Sequence, residues 1–217
     1  MEEFYKRFLR SNFVWFLSGL SYYTAVIATH GRYVTKDQYL NDGINETSIF
    51  HKYLDKSKTV IEFGCGLGKN LFAIANKIKF GYGIDINSLY IRLANRLMKK
   101  YGLYNLIFLK YDGINFPDIP RCDIILEKGV FERLPKELVK TYIHKLKNKY
   151  LKRDGIMILY FLMKRAKGTE FTKRLGDNAY VYWSDSEIRK LVCELGLKVN
   201  STIETKLASY YICTESV

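Results

Sequence analysis

The sequence predicts an α/β fold, with a parallel sheet covered by helices on both faces. From about residue 58 onward, short apolar runs alternate with segments of helical periodicity. The first run, residues 60–63, leads into glycine at every second position, Gly64, Gly66 and Gly68, and the second run ends in an acid, Asp85. Strands that alternate with helices form parallel sheets with right-handed crossovers, which bind ligands at the carboxyl ends of the strands.

The predicted strands and helices follow one another in a regular order. The strands are expected at 58–63, 80–86, 105–110, 122–127 and 155–162, and the helices at 69–78, 88–101 and 135–151. A capping box, Ser184 with Glu187, begins a last helix that continues to about residue 195. Two final strands, 197–203 and 208–214, are joined by a short turn, so they are expected to be antiparallel.

The segment before the first strand predicts an N-terminal extension. Apolar residues recur at helical spacing in residues 1–20: Phe4, Phe8, Leu9, Phe13, Phe16, Leu17 and Leu20. This pattern predicts a helix that packs on its own domain and can serve as a substrate lid; an interfacial membrane helix is the alternative. Residues 21–50 are expected to be loop with a short helix. The predicted division is a helical extension or lid over 1–50 and the main domain over 51–217.

Length and composition indicate one soluble domain. No apolar run reaches the roughly 18 residues that a membrane span needs, and acids near the N-terminus do not fit a secretory signal. The four cysteines show no C-x-x-C spacing, so neither disulfides nor zinc are expected and the cytoplasm is the predicted compartment. A single glutamine, Gln38, beside abundant Lys and Glu is a hyperthermophile tendency.

The net charge of +13 is concentrated in residues 140–174. The cluster from Lys145 to Arg153 is expected at the end of the sheet opposite the ligand site. The cluster from Lys164 to Arg174 is expected on the ligand side. Such clusters suit a nucleic-acid or acidic protein partner, and a lysine-rich solvated surface is the alternative.

Four segments in sequence order resemble the motifs of the class I S-adenosylmethionine-dependent methyltransferases. The first is Glu62-x-Gly64-x-Gly66-x-Gly68; it departs from the dinucleotide fingerprint G-x-G-x-x-G because the sixth position is a lysine. The others are the strand ending at Asp85, the acid of residues 111–113, and residues 123–135. The resemblance implies a seven-stranded, mostly parallel Rossmann-like sheet in the order 3-2-1-4-5-7-6, with the last inserted strand antiparallel.

The resemblance also implies S-adenosylmethionine as cofactor, with S-adenosylhomocysteine as product. The residues it assigns to the cofactor are Glu62, Gly64, Cys65, Gly66, Gly68, Asp85, Ile86, Asp112, Gly113 and Glu127. Asp85 would accept hydrogen bonds from the ribose hydroxyls and Asp112 would hold the adenine. Glu62 would orient the glycine loop or reach the amino group of the cofactor. A strand-end acid paired with a lysine is the alternative for Glu62, and a solvated turn acid is the alternative for Asp112.

The acceptor side is predicted to use Glu127, Glu132, Arg133 and His30. Methyltransferases of the ubiquinone-pathway type often have Glu-His at the positions of Glu132 and Arg133, so the arginine removes the usual candidate base. Gly129 stands where some relatives have an additional metal-binding acid, and no metal is expected. The Asn/Asp-Pro-Pro-Tyr motif of amino-group methyltransferases is absent, which argues against adenine and glutamine as acceptors.

Three functions are compatible with these features. The leading one is a methyltransferase for a small-molecule or glycan-type acceptor, expected to act at oxygen. The second is an RNA or protein methyltransferase that uses the basic segment 140–174. The third is a protein that binds the cofactor without catalysis, suggested by the missing histidine.

Overall fold

A seven-stranded sheet organises the part of the chain that the structure, a computed structural model, describes: residues 17–30, 34–163 and 180–216. The strands are β1 (Thr59–Phe63), β2 (Phe80–Asp85), β3 (Leu106–Lys110), β4 (Cys122–Glu127), β5 (Leu151–Leu162), β6 (Leu197–Glu204) and β7 (Ala208–Glu215). Their order is β3-β2-β1-β4-β5-β7-β6. The predicted fold class and strand order are therefore confirmed.

The strand pairings combine parallel and antiparallel ladders. β1 with β4, β2 with β3, and β4 with β5 are parallel. β7 pairs antiparallel with both β5 and β6, as expected for two strands joined by the short turn at 205–207. β1 and β4 are almost continuously buried, which is why the apolar residues 60–61 and 124–126 follow one another without polar alternation.

The described chain divides into two compact units. Residues up to Lys58 together with Gly64–Asp118 form the first unit, and Thr59–Phe63 together with residues from Ile119 onward form the second. β2 and β3 belong to the first unit, and the other five strands belong to the second.

Within its described residues, the first unit contains four α-helices: α1 (Tyr22–His30), α2 (Lys36–Thr47), α3 (Lys69–Ile74) and α4 (Ser88–Lys100). Asn87 caps α4 through hydrogen bonds from the backbone N–H groups of Leu89 and Tyr90, which satisfy donors that the helix cannot. α4 ends before Gly102, whose φ of 65° closes the helix in the left-handed region.

The second unit contains α5 (Lys136–Tyr150) and α6 (Asp185–Glu194). The buried residues of α5 lie on one helical stripe: Val139, Ile143, Leu146 and Tyr150. The Ser184 hydroxyl accepts from the backbone N–H of Glu187, and the Glu187 carboxylate accepts from the N–H of Ser184. The predicted capping box is therefore confirmed.

Two predicted segments are wrong. Residues 21–50 are mostly helical, because Thr35 and Gln38 form a capping box that begins α2. β5 begins at Leu151, four residues before the predicted start, with a register irregularity against β4. Gly155 permits this early start, since a Cβ at that position would lie 2.7 Å from Leu151 Cδ1 and 3.0 Å from the Asp123 carbonyl oxygen.

Within the described ranges, every helix is too short or too polar to cross a bilayer. All four cysteines, Cys65, Cys122, Cys193 and Cys213, lie in described segments and are free thiols. The predicted helix over residues 1–20 lies largely outside the described residues.

Candidate active site

The glycine loop of the first unit follows β1 and is held against β2. Gly64, Gly66 and Gly68 have φ values of 71°, 54° and 83°. The backbone N–H groups of Gly64 and Cys65 donate to the Ile84 carbonyl oxygen, at 2.8 and 3.1 Å. A Cβ on Gly68 would lie 2.6 Å from the Phe108 ring. The loop therefore requires glycine at residue 68 for both its left-handed conformation and its packing.

Asp85 connects the glycine loop to the start of α4. Its Oδ2 accepts from the Gly66 N–H and its Oδ1 from the Asn87 N–H, both at 2.8 Å. Burial raises the pKa of Asp85 to about 6, although these backbone donors favour the ionised form. A buried carboxylate on the carboxyl end of β2 suits vicinal hydroxyl groups, because each oxygen can accept more than one hydrogen bond. The predicted ribose contact stays a prediction that this geometry supports.

Two further residues that were predicted to contact the cofactor, Ile86 and Gly113, lie near each other in the first unit. Ile86 directly follows Asp85 and is 40% exposed. A Cβ on Gly113 would lie 3.5 Å from Ile86 Cδ1. The two predicted cofactor residues therefore border the same apolar surface in the first unit.

The Asp112 carboxylate is already used within its own turn. Oδ1 accepts from the backbone N–H groups of Ile114 and Asn115, and Oδ2 accepts from Asn115 Nδ2. Hydrogen bonds from Asn115, first the backbone and then the side chain, lower the pKa of Asp112 to about 2. The alternative interpretation, a turn acid, is thus the one that the geometry favours. Adenine binding by Asp112 stays a prediction.

The N-terminal segment contacts the glycine loop and α4 within the first unit. Leu67 of the loop and Tyr90 of α4 belong to one buried apolar cluster with Ala25, Val26, Val34 and Tyr39. The Ser18 hydroxyl hydrogen-bonds the Tyr90 hydroxyl. A Cβ on Gly19 would lie 2.5 Å from Leu89 Cβ and 3.2 Å from Asn87 Oδ1. Sequence reasoning missed this contact, whose signal was the small pair Ser18-Gly19 between apolar residues.

His30 is the last residue of α1, and its side chain lies outside the described part of the structure.

The ligand-side basic cluster, Lys164 to Arg174, is likewise outside the described residues. The other basic cluster is described in the second unit, at the end of α5 and the start of β5. Because β4 and β5 are parallel, this cluster lies at their amino ends, away from Glu127. Lys152 there pairs with Asp123 at 2.9 Å.

Two predicted acids of the second unit lie near strand ends and are buried. Glu62 in β1 is 2% exposed and lies in register with Leu126 of β4. Glu127 ends β4, and its Oε1 accepts from the N–H groups of Val130 and Phe131 at 2.8 and 3.1 Å. Burial raises the pKa of Glu127 to about 8, against the effect of these backbone donors. Glu127 therefore shapes the turn that follows β4.

That turn, residues 128–133, carries three further ionisable side chains, and we call it the charged turn. It ends in a 3-10 helix, Phe131–Arg133. Burial raises the pKa of Glu132 to about 7, while the charges of Arg133 and Lys128 act in the opposite direction. Burial also lowers the pKa of Lys128 to about 8. An acid and a base that titrate close to neutrality are suited to proton transfer.

Arg133 is held by the segment that returns at residue 180. Its Nη2 donates to the Tyr180 hydroxyl at 3.2 Å, and its Cζ lies 4.9 Å from the centre of the Tyr180 ring. The backbone N–H of Val181 donates to the Glu132 carbonyl oxygen at 2.8 Å. Arg133 Nε is 3.9 Å from Glu132 Oε1. The arginine that replaces the expected histidine is therefore fixed in orientation.

Two tyrosines that the sequence analysis did not select lie near Glu127 and Glu132 in the second unit. Tyr160 of β5 and Tyr210 of β7 are opposite each other in register, with ring centres 5.1 Å apart. Burial raises the pKa of both, and the charges of Glu132 and Glu127 add to the shift. Both hydroxyls therefore remain protonated donors. With eighteen tyrosines in the chain, residue type alone gave no signal for these two.

Comparison with known proteins gives the family. The sequence profile of the family described as "Methyltransferase domain" matches residues 54–182, which is more than half of the chain. No curated protein matches the chain in sequence. Among the described residues, no group of three His, Cys, Asp or Glu side chains could hold a metal ion.

Several solved structures share the fold. Magnesium protoporphyrin IX methyltransferase (ChlM) from Synechocystis PCC 6803, with bound SAH, is 18% identical with a TM-score of 0.64, over 82% of this chain and 83% of that one. The DhpI-SAH complex is 17% identical, TM-score 0.67, over 94% and 98%. The mitomycin 7-O-methyltransferase MmcR is 16% identical, TM-score 0.68, over 82% of this chain and 54% of that one. With the glycine loop, the acid that ends β2 and the strand order, the profile match shows that the chain belongs to the methyltransferase-domain family and is a class I S-adenosylmethionine-dependent methyltransferase.

Proposed function

We propose that this enzyme methylates an oxygen atom of a small-molecule or glycan-type acceptor, with Glu132 as the general base. The single observation that carries the proposal is the Glu132 carboxyl of the charged turn, whose side chain is 13% exposed and whose pKa is raised to about 7 by partial burial. A base that titrates near neutral pH can take a proton from a hydroxyl group as its oxygen attacks. The similar structures include methyltransferases whose names specify small-molecule acceptors.

The chain's own residues fit the cofactor. A glycine loop with positive φ angles brings backbone close to a ligand, Asp85 offers a buried carboxylate, and Ile86 offers an exposed apolar side chain. S-adenosylmethionine, when bound, supplies a methyl group that is already activated as a sulfonium. The protein therefore has to position the acceptor, exclude water and accept one proton.

The residues of the charged turn divide these tasks in the proposal. Glu132 accepts the proton of the acceptor hydroxyl. Lys128 and Arg133 carry positive charge beside it and limit the rise of its pKa. Glu127 holds the turn through its backbone hydrogen bonds, so we assign it positioning and not proton transfer. Tyr160 and Tyr210 remain hydrogen-bond donors that can orient the acceptor.

The test is acceptor-dependent formation of S-adenosylhomocysteine, measured with a library of hydroxylated metabolites and oligosaccharides, and with RNA and protein extracts as separate arms. The variant is Glu132→Gln, and the matched control is Glu137→Gln, an exposed acid in the first turn of α5. We expect Glu132→Gln to lower kcat roughly 10²–10⁴-fold, and Glu137→Gln to have wild-type activity. Turnover only with RNA or protein would reject the small-molecule class, and full activity of Glu132→Gln would reject the base.

A further inference from the structure

We propose that Arg133 binds an oxyanion group, a carboxylate or a phosphate, carried by the acceptor beside the hydroxyl that is methylated. This inference rests on the proposed function, because it names the acceptor class of the same site. The starting observation is Arg133 itself, which stands where methyltransferases of the ubiquinone-pathway type often have a histidine that serves as the base. An arginine cannot act as that base at physiological pH, since its guanidinium does not lose a proton. Its side chain must therefore serve another purpose there.

The first argument is the fixed orientation of the guanidinium. Tyr180 supports it in two ways, by a hydrogen bond of 3.2 Å to Nη2 and by ring contact with Cζ at 4.9 Å. Val181 holds the same return segment to the Glu132 carbonyl oxygen. A planar guanidinium with a set orientation presents paired N–H donors that match carboxylate and phosphate oxygens. Because the side chain is already ordered, binding an anion costs less conformational entropy.

The second argument is the access that solutes have to this guanidinium. The Arg133 side chain is 35% exposed, whereas that of Glu132 is 13% exposed. Arg133 Nε lies 3.9 Å from Glu132 Oε1, which is an ion-pair distance and longer than a hydrogen bond. Elsewhere in the same turn, a Cβ on Gly129 would meet no atom of the described residues within 4 Å. Among those residues, the charged turn therefore leaves space for a ligand at Gly129.

The third argument is the balance of charge. The charged turn and the end of β4 contain two acids, Glu127 and Glu132, and two bases, Lys128 and Arg133. Burial shifts both carboxyl groups toward the neutral form, with pKa values of about 8 and about 7. Arginine side chains are positively charged in proteins, so at neutral pH the cluster carries net positive charge. An anionic group on the acceptor compensates this charge, whereas a cationic acceptor would add to it.

The alternative role for Arg133 is purely structural, as a clamp on the return segment. The two roles differ in what they predict for binding. A clamp predicts that ligands of every charge lose affinity together when the arginine is removed. Oxyanion binding predicts a loss confined to anions, and a gain for anions when the neighbouring Glu132 is neutralised.

The experiment measures binding and does not require turnover. The full-length protein saturated with S-adenosylhomocysteine is titrated by calorimetry with inorganic phosphate, with benzoate, and with benzamide as the neutral isostere of benzoate. The variants are Arg133→Gln, Glu132→Gln and Tyr180→Phe. The matched control is Arg153→Gln, which removes an exposed arginine near the start of β5.

We expect at least one of the two anions to bind the wild type and Arg153→Gln equally and to bind Arg133→Gln about tenfold or more weakly, as for a lost charged hydrogen bond. Benzoate alone would indicate a carboxylate acceptor, and phosphate alone a phosphorylated one. Tyr180→Phe should give a smaller loss, and Glu132→Gln should bind the anion at least as tightly as the wild type. Tyr180→Phe removes a single oxygen and serves as the test should Arg133→Gln fail to fold by circular dichroism.

The proposal is overturned if neither anion binds, if benzamide binds as tightly as benzoate, or if Arg133→Gln and Tyr180→Phe both retain wild-type affinity. These outcomes are separable from a failure of the proposed function. Loss of anion binding in Arg133→Gln with full turnover by Glu132→Gln would keep the oxyanion site and reject the base. The reverse pattern would keep the base and reject the oxyanion site.

Discussion

The glycine loop of the first unit and the charged turn of the second are built from different chemical groups. Around the glycine loop, the organising contacts come from backbone N–H groups and one carboxylate, that of Asp85. In the charged turn, they come from ionisable side chains, the largely enclosed Lys128 and Glu132 and the partly exposed Arg133, with Glu127 holding the backbone. The first arrangement depends on backbone conformation and the second depends on burial.

This difference explains why the two regions respond to different changes. A backbone site is sensitive to any side chain that alters φ or fills the space of a glycine. A site of buried charges is sensitive to pH, because burial has moved its pKa values toward neutrality. Substitutions and pH can therefore be used to separate the two regions.

The largest expected effect is that of Gly68→Ala. The substitution forces alanine to a φ of 83° and places a Cβ 2.6 Å from the Phe108 ring. Left-handed strain of about 1–2 kcal/mol and overpacking of about 1–3 kcal/mol should lower the free energy of unfolding by about 2–5 kcal/mol. Gly129→Ala is the control, since it has a φ of 89° but open space, so only the strain applies. Urea denaturation of both variants measures the difference, and equal losses would contradict the packing argument.

The second prediction concerns the pH dependence of kcat/KM. Glu132 is active as a base only when ionised, and its pKa is about 7 in the folded protein. Activity should therefore fall as pH decreases below 7, by about fiftyfold between pH 7 and 5, with a slope that approaches about tenfold per pH unit. Residual activity of Glu132→Gln should lack this acidic limb. An unchanged acidic limb in that variant would assign the titration to another group.

The third prediction compares the two acids assigned to the cofactor. Asp85→Asn should weaken S-adenosylhomocysteine binding about tenfold or more, because a buried charged hydrogen-bond acceptor is lost. Asp112→Asn should change the affinity by no more than about twofold, as for most surface substitutions, because its oxygens serve its own turn. Calorimetry measures both. A large loss in Asp112→Asn would restore its predicted adenine contact.

The smallest expected effect on cofactor affinity is that of Gly19→Val. A side chain at residue 19 collides with Leu89 and approaches Asn87, so the N-terminal segment should separate from α4. If this segment is the predicted lid, turnover should fall more than cofactor affinity. Leu20→Ala, at a 66% exposed position, serves as the control. Normal turnover by Gly19→Val would reject the lid and leave the segment as packing.

Much of the fold was predictable because its signals are local. Apolar runs, the glycine spacing and the Ser184–Glu187 capping box each depend on residues that are close in sequence. Two local signals were overlooked. The Thr35–Gln38 capping box would have predicted α2, and Gly155 would have indicated that β5 begins before it. The conformation of the glycine loop was predictable for the same reason, since the glycines themselves permit its positive φ angles.

The sequence by itself determined the alternation of strands and helices and the conformation of the glycine loop, because spacing along the chain expresses backbone geometry. Its motifs, through their resemblance to a known family, also predicted the strand order and the cofactor. Only the tertiary structure decided which acids are buried, and therefore which ones titrate near neutral pH. Asp112 and Glu132 are both acids that follow strands, yet one is exposed in its own turn and the other is enclosed beside Arg133 and Lys128. Burial depends on residues far apart in sequence, such as Tyr180 against Arg133 and Tyr210 against Tyr160, so the pKa of a side chain cannot be inferred from its neighbours along the chain.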